Sequence, residues 1–203
     1  MTNKTPDRNA ELVAFFVSRC LGELGRTRLM KLLYLADYEA RRYLGRPLST
    51  LKYVWHYYGP FDASVDAILN KLKADGAIVE TPVAYPSGKN GYLYSRGPQE
   101  IVPTFDPPDL AILSYVCEKY SAVSLRELLD EIVYQTEPMK AAIDEKAKNT
   151  ELRMQVVDNA KANEFGVSFE MLLRRSWELR GGKSLSHQEA MRLVDDRVAS
   201  LAA

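Results

Sequence analysis

The stretch Leu29-Met30-Lys31-Leu32-Leu33-Tyr34-Leu35-Ala36 decides the fold, because it is apolar on almost every side. A helix that is hydrophobic all round is a buried one, so these residues predict the central helix of a helical domain. The predicted helix covers residues 27–44 and ends where Gly45 and Pro47 follow. The remaining elements are expected to pack around it.

Two further helices are predicted on either side of this stretch. Residues 7–21 repeat apolar side chains at helical spacing, and residues 62–74 do the same. Between the central helix and the second of these, residues 51–58 are rich in β-branched and aromatic side chains and predict a short strand. Gly59-Pro60 is expected to end that strand as a turn.

A β-hairpin is predicted next. Residues 77–85 are strand-like, Asn90-Gly91 is a strong hairpin signal, and residues 92–94 predict the returning strand. A helix followed at once by a hairpin is the outline of a winged helix. The proline-rich residues 97–108 are a candidate boundary.

Helices are predicted again beyond residue 108. They cover residues 109–120, a capped segment at 124–134, a helix that opens at 136–138 and continues to about 163, and two capped helices at 168–180 and 186–201. A break in the longest of these helices, near Asn149-Thr150, is an alternative. The predicted class is mostly α (α+β), with a small winged-helix-like β-hairpin. Residues 7–145 form the predicted domain, and residues 146–203 form a helical C-terminal extension.

The composition is typical of a folded globular protein, with 46% hydrophobic and 27% charged residues and no net charge. This charge balance weighs against nucleic-acid binding as the main role. Cys20 and Cys117 are predicted to be buried free thiols. Because no apolar run reaches the ~20 residues that span a bilayer, we expect a cytoplasmic protein without membrane contact.

Few residues suggest catalysis. The two histidines, His56 and His187, are far apart, and no zinc-ligand or phosphate-loop motif occurs. His56 is the only plausible general base, although a half-buried structural histidine is the better interpretation of its aromatic surroundings. We therefore predict no enzyme activity, no cofactor and no metal.

DNA binding is a second hypothesis. The winged-helix outline would make residues 62–74 the recognition helix, whose N-terminal residues approach the bases. Asp62 and Asp66 stand at that end, where phosphates would repel them. DNA binding is therefore an alternative that the charges disfavour.

Protein binding fits the remaining features, including twelve tyrosines. Candidate contacts are exposed residues of the aromatic stretch, the end of the central helix and the C-terminal helices. They are Arg41, Arg42, Arg46, Trp55, His56, Tyr57, Tyr58 and Trp177.

Three motifs carry a family resemblance. They are the K-L-L-Y helix at residues 28–37, the G-x-P-L turn at residues 45–48, and the G-P turn before a helix at residues 57–61. A tyrosine followed by a serine cap at residues 120–129 accompanies them. Together they resemble the Panacea domain, the SocA-like antitoxin domain, over roughly residues 10–143. Their side chains are expected to serve as scaffold, with Lys31 extending its amine to the surface.

The resemblance implies an antitoxin that binds a protein toxin and neutralises it in an inhibitory complex. A proteolytic adaptor that delivers the toxin to a Clp-type protease is one alternative, a winged-helix transcriptional regulator is another, and a homodimer is considered too. The sequence departs from the family where a histidine and a proline–tryptophan pair often stand. Gln135, Pro138 and Met139 occupy that region here.

Overall fold

The computed structural model describes residues 7–20, 24–85, 88–102 and 104–156. These residues form a mostly helical α+β fold, which confirms the predicted class. No helix among them is long and apolar enough to cross a membrane. The elements are α1 (Arg8–Arg19), α2 (Arg26–Leu44), β1 (Val54–His56), β2 (Gly59–Phe61), α3 (Ser64–Ala74), β3 (Ile78–Ala84), β4 (Asn90–Arg96), α4 (Pro107–Tyr120), α5 (Leu125–Glu127) and α6 (Glu137–Asp144).

Helix α2 is the axis of the fold. Every residue from Leu29 to Ala40 is buried, as the apolar pattern predicts. The helix packs against α1, α4 and β2. It ends at Gly45, which adopts a left-handed conformation (φ 65°) that glycine tolerates without a Cβ clash.

The predicted hairpin follows α3 directly. β3 and β4 pair antiparallel over seven residues each, from Ile78 opposite Arg96 to Ala84 opposite Asn90. The other edge of β4 contacts the chain just before α2, where Gly25 bridges to Leu93. The helix-then-hairpin outline of a winged helix is therefore present, and its hairpin is attached to the start of α2.

The region around β1 and β2 differs from the prediction of one strand ended by a Gly59-Pro60 turn. Tyr57 and Tyr58 make the turn, and Gly59 and Pro60 belong to β2. The reason is a contact with α2: the Lys31 ammonium donates a hydrogen bond to the Pro60 carbonyl at 2.6 Å. Lys31 is therefore buried, not extended to the surface as expected.

The proline-rich residues 97–108 are not a boundary. Phe105 is fully buried, and its ring meets the edge of Phe15 at 6.0 Å between centroids. The Arg8 guanidinium covers the Phe105 ring at 4.1 Å. Phe105 therefore anchors this otherwise largely exposed segment to the common core.

The predicted long helix from 136 to about 163 ends at Asp144. Lys146 and Asn149 take left-handed conformations, which interrupt a helix. Residues 147–154, here named the C-terminal strap, then run beside β1, where Leu152 N–H donates to the Tyr53 carbonyl at 2.7 Å. The helices predicted beyond residue 156, and most of the extension proposed for 146–203, lie outside the described residues.

Candidate binding groove

An open groove of about 670 Å³ is formed where three elements meet. Its walls are the first turn of α2, the β3–β4 hairpin and the tyrosine turn between β1 and β2. Leu125, at the start of α5, closes one side. The Gly25–Leu93 bridge fixes the hairpin against α2, so two walls of the groove are held together by backbone contacts.

The groove concentrates exposed aromatic surface. Eight large hydrophobic side chains are exposed among the described residues, and four of them line this groove. Tyr58 is 56% exposed and Tyr92 is 51% exposed, whereas Tyr85 and Leu125 are exposed to a lesser degree. Tyrosines with an accessible ring and hydroxyl are typical anchors of protein interfaces.

Two glycines let the aromatic rings pack against the backbone. A Cβ on Gly91 would lie 2.6 Å from the Tyr85 ring, closer than carbon atoms approach. A Cβ on Gly25 would lie 3.3 Å from the Tyr85 hydroxyl oxygen. Tyr85 therefore lies over a glycine surface that joins the hairpin to α2.

The charged groups along the groove are positive. Arg26, Arg28 and Lys89 line it, and none of the lining residues that the structure describes carries a carboxylate. Arg28 has a structural role, because it donates hydrogen bonds to the carbonyls of Ser121 (3.1 Å) and Val123 (2.7 Å). Arg26 forms an exposed ion pair with Asp66. The N-terminal dipole of α2 adds to the positive potential.

Only part of the predicted aromatic site faces this groove. Tyr58 lines it, whereas its neighbour Tyr57 is 72% exposed outside it, with the Lys148 ammonium 5.1 Å from its ring. Trp55 and His56 are partly buried in β1, and the His56 ring lies 5.3 Å from that of Phe61. Among these four candidates, the structure brings Tyr58 to the groove.

The three predicted arginines lie at the other end of α2. An α-helix rises about 1.5 Å per residue, so Arg41 lies roughly 20 Å from Arg28 along the axis. Arg42 contacts Glu39 at 3.4 Å, and Arg46 contacts Asp109 at 2.6 Å. These arginines do not join the groove. Trp177 lies outside the described residues.

Buried polar side chains of α2, among them Lys31, Asp37 and Glu39, bond other elements. Asp37 accepts hydrogen bonds from Leu48 N–H and Ser49 N–H, each at 2.8 Å. Its other oxygen accepts from the Ser49 and Tyr53 hydroxyls. Desolvation raises the pKa of Asp37 and lowers the pKa of Lys31 to about 7. These contacts join the K-L-L-Y, G-x-P-L and G-P motifs, whose residues act as scaffold.

The sequence did not single out Arg26, Lys89, Tyr92 or Leu125 as binding candidates. The Asn90-Gly91 signal predicted the hairpin, and Tyr92 directly follows it. Its position opposite the start of α2 depends on the Gly25–Leu93 bridge, a contact between residues distant in sequence. No group of three or more potential metal ligands occurs within the described ranges.

An accessible groove of tyrosines and positive charges has the character of a binding surface. Comparison with protein families gives a match to "Antitoxin SocA-like, Panacea domain" over residues 29–138, more than half of the chain. The chain therefore belongs to the family of SocA-like antitoxins that share the Panacea domain, as its motifs indicated. Comparisons with curated proteins and with solved structures gave no match.

Proposed function

We propose that this protein is an antitoxin that binds a protein toxin and neutralises it by covering the toxin's active surface. Family membership supports a role in a toxin–antitoxin system. The observation that carries the binding proposal is the groove, where four of the eight exposed large hydrophobic side chains meet. The role needs no catalytic step by this chain.

The groove chemistry indicates the complementary surface of the toxin. Tyr58 and Tyr92 offer apolar rings with hydroxyl groups at their edges, which suit a partner with an apolar anchor and nearby hydrogen-bonding groups. Arg26 and Lys89 favour acidic side chains around that anchor. We therefore propose a toxin segment with an apolar centre and an acidic margin.

The first test is to purify the tagged full chain from its native cells and identify any stoichiometric partner. That partner, expressed alone, should arrest growth, and co-expression of this protein should restore growth. With both proteins purified, Tyr58→Ala and Tyr92→Ala should each weaken binding about tenfold or more, because interface tyrosines often contribute at least 1.4 kcal/mol.

Tyr57→Ala is the matched control, since Tyr57 is an adjacent, exposed tyrosine that does not line the groove. It should bind nearly as tightly as the wild type. Equal affinity for all three variants would exclude the groove as the toxin surface, while leaving the antitoxin role intact. A partner that causes no growth arrest would contradict the antitoxin role itself.

The adaptor alternative also requires toxin binding, so the fate of the toxin separates the two mechanisms. Under occlusion, toxin activity is lost in the purified complex and the toxin remains at constant amount. Under delivery, toxin activity falls only when a Clp-type protease and ATP are added, and the toxin is degraded. Toxin that stays active in the purified complex would contradict occlusion.

Nucleic-acid binding is the second candidate, because basic grooves with aromatic rings also hold single strands. The start of α3 disfavours the duplex-reading mode, since Asp62 and Asp66 stand there. A gel-shift assay with upstream duplex and single-stranded probes at two salt concentrations tests this candidate. Binding that Tyr58→Ala abolishes would assign the groove to nucleic acid instead.

A further inference from the structure

Two cysteines that are distant in sequence meet at the junction of α1 and α4. Cys20 caps the C-terminal end of α1, and Cys117 lies in the last part of α4. Their sulfur atoms are 2.6 Å apart, and both residues are free thiols. A disulfide bond holds its sulfur atoms ~2.05 Å apart, so a small displacement is sufficient to form one.

The two thiols differ in their surroundings, and this difference determines which of them reacts first. Cys20 is partly exposed, whereas Cys117 is 7% exposed. The hydrogen bond with Cys20, together with burial, raises the pKa of the Cys117 thiol. An oxidant from solvent therefore reaches Cys20 first, and Cys117 is placed to react with the product.

We propose that Cys20 and Cys117 form a redox site that closes into a reversible intramolecular disulfide by exchange with a low-molecular-weight disulfide. In the first step the Cys20 thiolate attacks one sulfur of the small disulfide, forming a mixed disulfide and releasing one thiolate. In the second step Cys117 loses its proton and attacks the Cys20 sulfur, releasing the second thiolate. Two protein thiols are oxidised, and the small disulfide is reduced to two thiols.

The bond would tie the end of α1 to α4 across nearly half the chain. Cross-links that enclose long loops restrict the unfolded state most strongly, so oxidation should stabilise the fold. The chemistry of this redox site does not depend on toxin binding.

The test uses the full chain in buffers of increasing ratio of oxidised to reduced glutathione. Free thiols are then blocked with an alkylating reagent, and the intact mass is measured. The wild type should lose two hydrogen atoms, carry no glutathione and run as a monomer on a non-reducing gel. A reducing agent should restore the original mass. The oxidised form should melt several degrees higher than the reduced form.

Single variants separate this reaction from general thiol oxidation. Cys117→Ser should retain glutathione on Cys20, because no second thiol resolves the mixed disulfide. Cys20→Ser should leave Cys117 unmodified, since it is buried. Circular dichroism and melting of the reduced variants verify their folding. Three outcomes would overturn the proposal. The wild type could keep stable glutathione adducts, it could form a disulfide-linked dimer, or it could remain reduced under conditions in which Cys117→Ser is modified.

Discussion

Asp37 illustrates how one buried side chain fixes a loop. Its carboxylate is 2% exposed, yet it accepts hydrogen bonds from two backbone N–H groups and two hydroxyls. Burial raises the pKa of Asp37, and the four donors act in the opposite direction. The carboxylate therefore binds residues 48–53 to α2, and its loss would leave buried donors without partners.

We expect Asp37→Ala to destabilise the protein by about 3 kcal/mol or more, because it leaves the N–H groups of Leu48 and Ser49 unpaired. Asp37→Asn should cost about 1 kcal/mol, since its carbonyl oxygen still accepts from these groups. Urea unfolding of both variants measures the difference. Equal losses would mean that the negative charge, and not the set of hydrogen bonds, holds the loop.

At the scale of elements, local patterns predicted some boundaries well. The apolar run predicted α2 to within one residue, because Gly45 ends the helix through its own conformational freedom. The β1–β2 hairpin was misplaced, because its turn residues, Tyr57 and Tyr58, carry no local turn signal. What places Gly59 and Pro60 in a strand is the contact between Pro60 and Lys31.

The C-terminal strap could not be predicted for a similar reason. The sequence after Asp144 has no proline or glycine until Gly166 to mark the end of a helix. The helix ends because the strap instead pairs with β1, through hydrogen bonds such as that from Asn149 N–H to the Trp55 carbonyl (2.8 Å). Pairing between residues almost a hundred positions apart leaves no periodic signal in the sequence.

We expect Leu152→Ala to destabilise the protein by about 2–5 kcal/mol, because Leu152 carries the strap into the core and is 4% exposed. Gln155→Ala is the control directly after the strap, since Gln155 is exposed, and it should change stability by less than about 0.5 kcal/mol. Urea unfolding checks both. Equally small losses for both variants would show that the strap contributes little to the stability of the folded state.

In the whole molecule, buried polar side chains connect α2 to several of its neighbours. Tyr34 donates to Thr136, which itself donates to the Val133 carbonyl, so α2 is fixed to the segment before α6. Tyr120 of α4 donates to Glu39 at 2.8 Å. Lys31 connects α2 to β2 in the same way, through its hydrogen bond to the Pro60 carbonyl. These bonds select one packing arrangement, and burying their ionisable groups makes stability depend on pH.

Lys31 gives this dependence a definite sign. Burial lowers its pKa to about 7, whereas an unfolded lysine titrates at roughly 10.4. Between these values the unfolded chain binds more protons, so this lysine makes stability rise with pH, by about 5 kcal/mol in total. Asp37 and Glu39 act in the opposite sense above about pH 4, because burial raises the pKa of both carboxyls.

We therefore expect the stability curves of the wild type and Lys31→Met to cross. Below pH 7 the variant should be the more stable protein, because it avoids burying an ammonium ion without a carboxylate partner. Towards pH 10 the wild type should be the more stable, because its neutral amine still donates to the Pro60 carbonyl, which methionine leaves unpaired. Melting temperatures between pH 6 and pH 10 measure the difference at each pH. Parallel curves would mean that the Lys31 amine stays charged over this whole pH range. Burial would then not lower its pKa.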